Sequence, residues 1–153
     1  MTTTPDSRTV KLDIASRFDM LEVVQTVLAQ VSTLVGFGED AAHYMSVAVR
    51  ESVSNAIRHG NRFDESKRVE VAFTLADDGI EIRVRDEGAG FDPAALRNPL
   101  ASENLLRADG RGVFFMRSFM DEVSFSFLQP RGTAVTLVKK LGSPLVRAVG
   151  ERA

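Results

Sequence analysis

The sequence predicts an α+β fold in which a mixed, mostly antiparallel sheet carries helices on one face. Three observations support this. Apolar residues alternate with a period of two in short runs toward both ends of the chain. Between Asp19 and Gly60 the apolar spacing widens to that of amphipathic helices. The elements then follow one another as β-α-α-β-β-loop-α-β-β, runs of strands rather than strict alternation. A chain of 153 residues is the size of one domain, and no internal repeat or change of composition divides it.

Taken in order, Val10, Leu12 and Ile14 alternate with Lys11 and Asp13, which predicts a strand over residues 8–15. Leu21, Val24, Leu28, Val31 and Leu34 then predict a helix from Asp19 to Val35, ended by Gly36-Phe37-Gly38. A second helix is expected from Glu39 to Gly60, with Gly60 in the left-handed position that closes a helix. Strands follow at Arg68–Leu75 and Ile80–Asp86, joined by Ala76-Asp77-Asp78-Gly79, whose Asp-Gly pair signals a hairpin. From Phe91 to Asp109 there is no steady period, and Pro93 and Asn98-Pro99 interrupt it. A connection that long in a compact domain is usually functional or mobile. Val113–Met120 reads as an apolar helix, and Val123–Leu128 and Thr133–Lys139 read as paired strands around Gln129-Pro130-Arg131-Gly132. The tail from Gly142 is expected to be frayed or weakly helical.

Composition excludes several classes of function. Nineteen basic against twenty-one acidic side chains, with no long basic block, argue against an electrostatic grip on nucleic acid. The absence of cysteine rules out a disulfide framework or thiolate metal site and fits a reducing cytoplasm. Met1–Asp6 has neither the basic region nor the apolar core of a signal peptide. No apolar run is expected to reach the roughly 20 residues of a membrane span. The expectation is a soluble cytoplasmic domain.

The polar residues fall into a pattern. On the second predicted helix, Met45, Val49, Val53 and Ile57 form one stripe, while Glu51, Asn55 and His59 recur at i, i+4 and i+8 nearly opposite. Ala48 and Ser52 border them, leaving a small face against which a ligand can pack; the plainer reading is a solvated face. Asp86 continues the inward parity of Ile80, Ile82 and Val84, which points a carboxylate at the core layer unless the strand stops at Arg85 and Asp86 caps the turn. A buried carboxylate is costly without a partner, and a ligand's amino group is one candidate. Gly88 and Gly90 would let the backbone approach that ligand. Thr133 shares parity with Val135 and Leu137, so its hydroxyl faces the same layer, while Gly132 is equally well read as a turn residue. Gly110-Arg111-Gly112 leads into a helix whose free N–H groups favour a phosphate, although a simple tight turn has the same pattern. It is neither a Rossmann fingerprint nor a P-loop. His59, just before Gly60, reads as structural, and two histidines in all make a zinc site a poor expectation. Together the groups look like a site for a nucleotide and a magnesium ion.

With these residues assembled, the chain resembles the GHKL (Bergerat-fold) ATP-binding domains, and more closely the anti-sigma factor serine/threonine kinases of bacterial partner switching. The matching stretches are Glu51-Ser-Val-Ser-Asn55-Ala-Ile-Arg-His59-Gly60, Asp86-Glu-Gly88-Ala-Gly90-Phe91-Asp92-Pro93, Gly110-Arg-Gly112-Val-Phe-Phe-Met116 with Met120-Asp121-Glu122-Val123, and Arg131-Gly132-Thr133. They follow one another in order, and the likeness as a whole runs from about Val10 to Leu141. The resemblance implies a two-layer α/β sandwich over 1–153, with a core of about 8–141 and an ATP lid of about 92–109. It also implies that Asn55 holds Mg²⁺, that Asp86 binds the adenine amino group and that Gly88 and Gly90 shape the adenine pocket. Gly110, Arg111 and Gly112 would cradle the phosphates, and Glu51 would be the general base for a protein serine hydroxyl. Arg131-Gly132-Thr133 matches the last box, which adds Thr133 to the nucleotide site. The implied partners are a sigma factor, a STAS-type anti-anti-sigma protein and a second copy of the chain. The segment Asn98–Arg107 has no residue-by-residue match to the family.

Three other functions compete with this expectation. A nucleotide-gated binding module without phosphotransfer would need the same pocket but no base at Glu51. The catalytic domain of a two-component histidine kinase would need a phosphoacceptor hairpin, for which the residues before Asp19 leave no room. A gyrase-, MutL- or Hsp90-like ATPase would need further coupling domains.

Overall fold

The computed structural model describes residues 8–89 and 110–147. Strand β1 is Thr9–Ala15, and a short 3₁₀ turn at Phe18–Met20 leads into helix α1, Leu21–Val35. Helix α2 is Glu39–Asn55 and continues as one π turn, Ala56–Gly60. Strands β2 (Arg68–Ala76) and β3 (Gly79–Arg85) form a hairpin, followed by helix α3 (Gly110–Phe119) and strands β4 (Glu122–Phe127) and β5 (Thr133–Lys140). The five strands lie in the order β1-β2-β3-β5-β4. Every pairing among the described residues is antiparallel, so the parallel component of the expected mixed sheet is not found there.

The helices cover one face of the sheet, as the alternation requires. Val69, Val71 and Phe73 of β2, Ile80, Ile82 and Val84 of β3, and Val135 and Leu137 of β5 are buried there in one cluster. Residues of opposite parity, such as Thr74, Glu81 and Arg85, are exposed on the other face. Helix α2 lies on this layer through Met45, Val49 and Val53, with Ile57 following in the π turn; all four are fully buried. Each such side chain contributes about 1.5–3 kcal/mol by leaving water, which outweighs the weak helix preference of the valines.

The elements depart from the sequence reading in several places. Leu34 stands 71% exposed, because the core-facing arc of α1 runs through Leu21, Val24, Leu28 and Val31 and Leu34 falls beyond it. Phe18–Val35 has a mean hydropathy of 1.3 over 18 residues, enough by length and composition for a membrane span, contrary to expectation. In this fold its apolar arc is seated on the core cluster while Glu22, Thr26, Gln30 and Thr33 face out. Helix α3 starts at Gly110 rather than Val113. Gly79 pairs with Ala76 inside the hairpin, leaving Asp77-Asp78 as the turn. The described part of the tail is not helical: Arg147 N–H donates to the Ser118 carbonyl at 2.7 Å, and buried Lys139 donates to the Pro144 carbonyl at 2.6 Å.

Candidate functional site

The site is built along the last turns of α2. Its face toward α3 carries Tyr44, Ala48, Glu51 and Asn55. Two contacts fix that pairing: Tyr44 packs on Phe119 at a centroid distance of 4.7 Å, and Gly112 meets Glu51. The helices therefore run antiparallel, and the start of α3 lies beside the later part of α2. A Cβ on Gly112 would stand 2.8 Å from Glu51 Oε1. The Glu51 carboxylate is thus held against the first turn of α3, where unpaired backbone N–H groups concentrate positive potential. Gly110, Arg111 and Gly112 form that turn itself instead of preceding the helix.

One turn further along α2, about 6 Å by helix geometry, comes Asn55. Its Oδ1 is buried and has no hydrogen-bond partner among the described residues. Ser52 Oγ, on the neighbouring arc, is in the same condition. Buried polar atoms are rarely left unpaired unless a ligand, ion or water completes them. An amide oxygen suits a hard cation such as Mg²⁺, so Asn55 fits the metal that the resemblance implies. No group of three or more His, Cys, Asp or Glu side chains is assembled among the described residues, so a cation here would draw further ligands from phosphate and water.

After Asn55 the helix widens into the π turn, closed by Asn61 N–H on the Ala56 carbonyl at 2.8 Å. Gly60 is not the left-handed cap expected of it: among the described residues the positive-φ glycines are Gly36, Gly132 and Gly142. It is glycine for another reason, because a Cβ there would run into the Asp86 carboxylate. A Cβ on Gly88 would in turn run into the Gly60 carbonyl, so the two glycines bring the helix end and the Asp86–Gly88 turn into direct contact. Gly132 combines φ of +105° with a Cβ position 2.7 Å from the Asp86 carbonyl oxygen, which settles its identity on both grounds.

Asp86 satisfies both of its readings at once. β3 ends at Arg85, yet the Asp86 side chain keeps the inward parity and is 6% exposed. Its Oδ1 accepts hydrogen bonds from the N–H of Gly88 at 2.9 Å, capping the turn, and from the N–H of Thr133 at 3.2 Å. Its own N–H donates to the Thr133 carbonyl at 2.9 Å, so Asp86 and Thr133 face each other across the β3–β5 ladder as the parities require. Burial pushes the carboxyl pKa up; the two N–H donors and the charge of Lys67 oppose the shift without cancelling it. His59 is exposed, and partial desolvation together with Arg58 lowers its pKa, which favours neutral imidazole.

The structure therefore gathers Asp86, Gly88, Gly60 and Thr133 at one end, Glu51 and Gly112 at the other, and Asn55 between them on the same helix. Gly90 and the expected lid lie outside the described residues. Sequence reasoning missed Asn61 and Ser16, both buried beneath the Asp86–Gly88 turn. An asparagine after a helix-ending glycine has the signature of an exposed loop residue, and nothing local marks it as buried.

A helical layer on an antiparallel sheet, with a buried acid behind a double-glycine contact, is the arrangement the resemblance to ATP-binding domains leads one to expect. The family model described as histidine kinase-like ATPase domain matches residues 14–139. The chain belongs to that family, within the GHKL group. Among its relatives, the serine-protein kinase RsbW of Staphylococcus epidermidis is 29% identical over 150 residues, covering 94% of this chain and 93% of the relative. RsbW of Listeria monocytogenes is 23% identical over 143 residues, covering 90% of each. A crystal structure of RsbU and RsbW domains from Mycobacterium tuberculosis superposes with a TM-score of 0.59 at 20% identity. It covers 89% of this chain, which spans 33% of that longer one, and the likeness is one of fold.

Proposed function

We propose that this protein is an ATP-dependent protein serine kinase that also sequesters a sigma factor, and that its phosphoacceptor is a serine on a STAS-type anti-anti-sigma protein. The observation that carries the reading is the order of groups beside α2: the buried Asp86 carboxylate at one end, an amide oxygen without a partner among the described residues in the middle, and the Glu51 carboxylate against a helix N-terminus at the other. Its relatives are serine-protein kinases by name, which supports the reaction type. The partners rest on the same likeness, as does the cytoplasmic location. A homodimer is part of the proposal, and Val23 and Leu34, exposed apolar side chains on α1, are available to it.

In this mechanism Asp86 accepts a hydrogen bond from the adenine amino group, and Thr133 lies beside it. Gly60 and Gly88 let the helix end and the Asp86–Gly88 turn meet without side chains between them, and Gly90 is assigned to the adenine pocket on the resemblance. The first turn of α3, Gly110-Arg111-Gly112, offers N–H groups to the phosphates. Asn55 would hold Mg²⁺, which when bound neutralises phosphate charge and orients the terminal phosphoryl group. Glu51 takes the proton from the attacking serine hydroxyl; the new O–P bond forms as the bond to ADP breaks, and ADP leaves. Little covalent work falls to the protein, so positions matter more than reactivity.

Glu51→Ala is the test. ATP affinity is expected to stay near that of the unsubstituted protein while phosphotransfer falls roughly 10²–10⁴-fold, the usual scale of general-base catalysis. Full activity in that variant would remove Glu51 from the mechanism. A protein that binds ATP but phosphorylates no STAS protein would favour a nucleotide-gated binding module.

A further inference from the structure

Asn61 immediately follows Gly60 and is 1% exposed, among the most buried polar residues described. Its side chain reaches three other segments. Nδ2 donates to Ser16 Oγ at 2.8 Å, just past β1, and to the Arg68 carbonyl at 3.0 Å, where β2 begins. Oδ1 accepts from the N–H of Glu87 at 2.9 Å, the middle residue of the Asp86–Gly88 turn. Ser16, equally buried, donates onward to the Lys67 carbonyl at 2.6 Å. Glu87 is held a second time, its Oε1 accepting from the N–H of Arg68 at 2.6 Å. One carboxamide thus joins the segment after α2 to the residue after β1, to the first residue of β2 and to the turn that carries the buried acid.

We propose that Asn61 is a positioning residue for base recognition: it clamps the Asp86–Gly88 turn against Gly60 and so sets where the Asp86 carboxylate stands. The inference rests on the reading that Asp86 binds the purine 6-amino group. The chemistry calls for asparagine. Two donors and one acceptor are needed on one short planar head. Aspartate would turn a carboxylate toward the Arg68 carbonyl, and alanine would leave the Glu87 N–H and the Arg68 carbonyl short of a partner in a buried place. Without the carboxamide, the bond from the Arg68 N–H to Glu87 Oε1 is the turn's remaining side-chain hold on that side.

The experiment measures affinity for ATP and for inosine triphosphate, which carries an oxo group at position 6, using the full chain with Mg²⁺. Folding of each variant is checked by circular dichroism. The unsubstituted protein is expected to prefer ATP. Asn61→Ala is expected to reduce that preference about tenfold or more, with affinity for inosine triphosphate little changed. Ser16→Ala, a milder change that frees one side of the carboxamide, is expected to reduce it about threefold in the same direction. A purely structural asparagine would lower melting temperature, or both affinities together, and leave the ratio alone. Folded Asn61→Ala with an unchanged ratio overturns the inference; if that variant does not fold, an unchanged ratio in Ser16→Ala does so. If the unsubstituted protein itself shows no preference, the Asp86 reading fails first and the inference falls with it.

Discussion

At the scale of single residues, the fold bears the cost of burying Asp86. Because its folded pKa is raised above the ordinary 3.8, the fold gains stability from its protonated form below that value and loses it as pH rises through the raised pKa. At neutral pH without ligand the buried carboxylate is a liability. Asp86→Asn keeps an oxygen for the Gly88 and Thr133 N–H groups, so it is expected to melt at or above the temperature of the unsubstituted protein at pH 7, with the difference narrowing as pH falls. The same variant is expected to bind ATP more weakly; unchanged affinity would take Asp86 out of the site. Gly60→Ala and Gly88→Ala should differ, which urea unfolding can read. The first meets the Asp86 carboxylate, which can shift only by disturbing its bonds from the Gly88 and Thr133 N–H groups, whereas the second meets a backbone carbonyl and costs more. Asp86 was legible in the sequence because strand parity fixes which way a side chain points. Asn61 was not, since its burial arises from three segments distant in sequence, and Gly60 was misread because a cap and a close approach both call for glycine.

At the scale of elements, α2 is both the main core helix and the spine of the site, so its apolar stripe and its Glu51–Asn55 face were readable from one periodicity. The π turn was not: a widened turn changes no residue type, so no local pattern marks it. Helix α3 was read three residues too short because two glycines weaken the local helix signal by about 1 kcal/mol each. Packing along α2 extends the helix through them. This gives a sharp prediction for Gly112→Ala. Alanine is the better helix former, and the new Cβ meets only the end of the flexible Glu51 side chain. Stability is expected to hold or rise slightly while serine phosphotransfer falls because Glu51 is displaced; a stable variant with undiminished transfer would contradict the placement of the base against α3.

At the scale of the whole molecule, alternation gave the sheet its buried face and the run of strands gave its antiparallel character. The neighbour order β1-β2-β3-β5-β4 is set by tertiary pairing that no local pattern encodes, with β5 between β3 and β4. That order places Thr133, at the start of β5, opposite Asp86, which follows the end of β3. The central claim is that this arrangement holds a magnesium–nucleotide complex through Asn55 Oδ1, which has no partner among the described residues. Calorimetric titration with ATP, with and without Mg²⁺, on the unsubstituted protein and on Asn55→Ala tests it most directly. The expected result is magnesium-dependent binding to the first and loss of that dependence in the second. No heat of binding at millimolar ATP, or magnesium dependence that survives in Asn55→Ala, would contradict it.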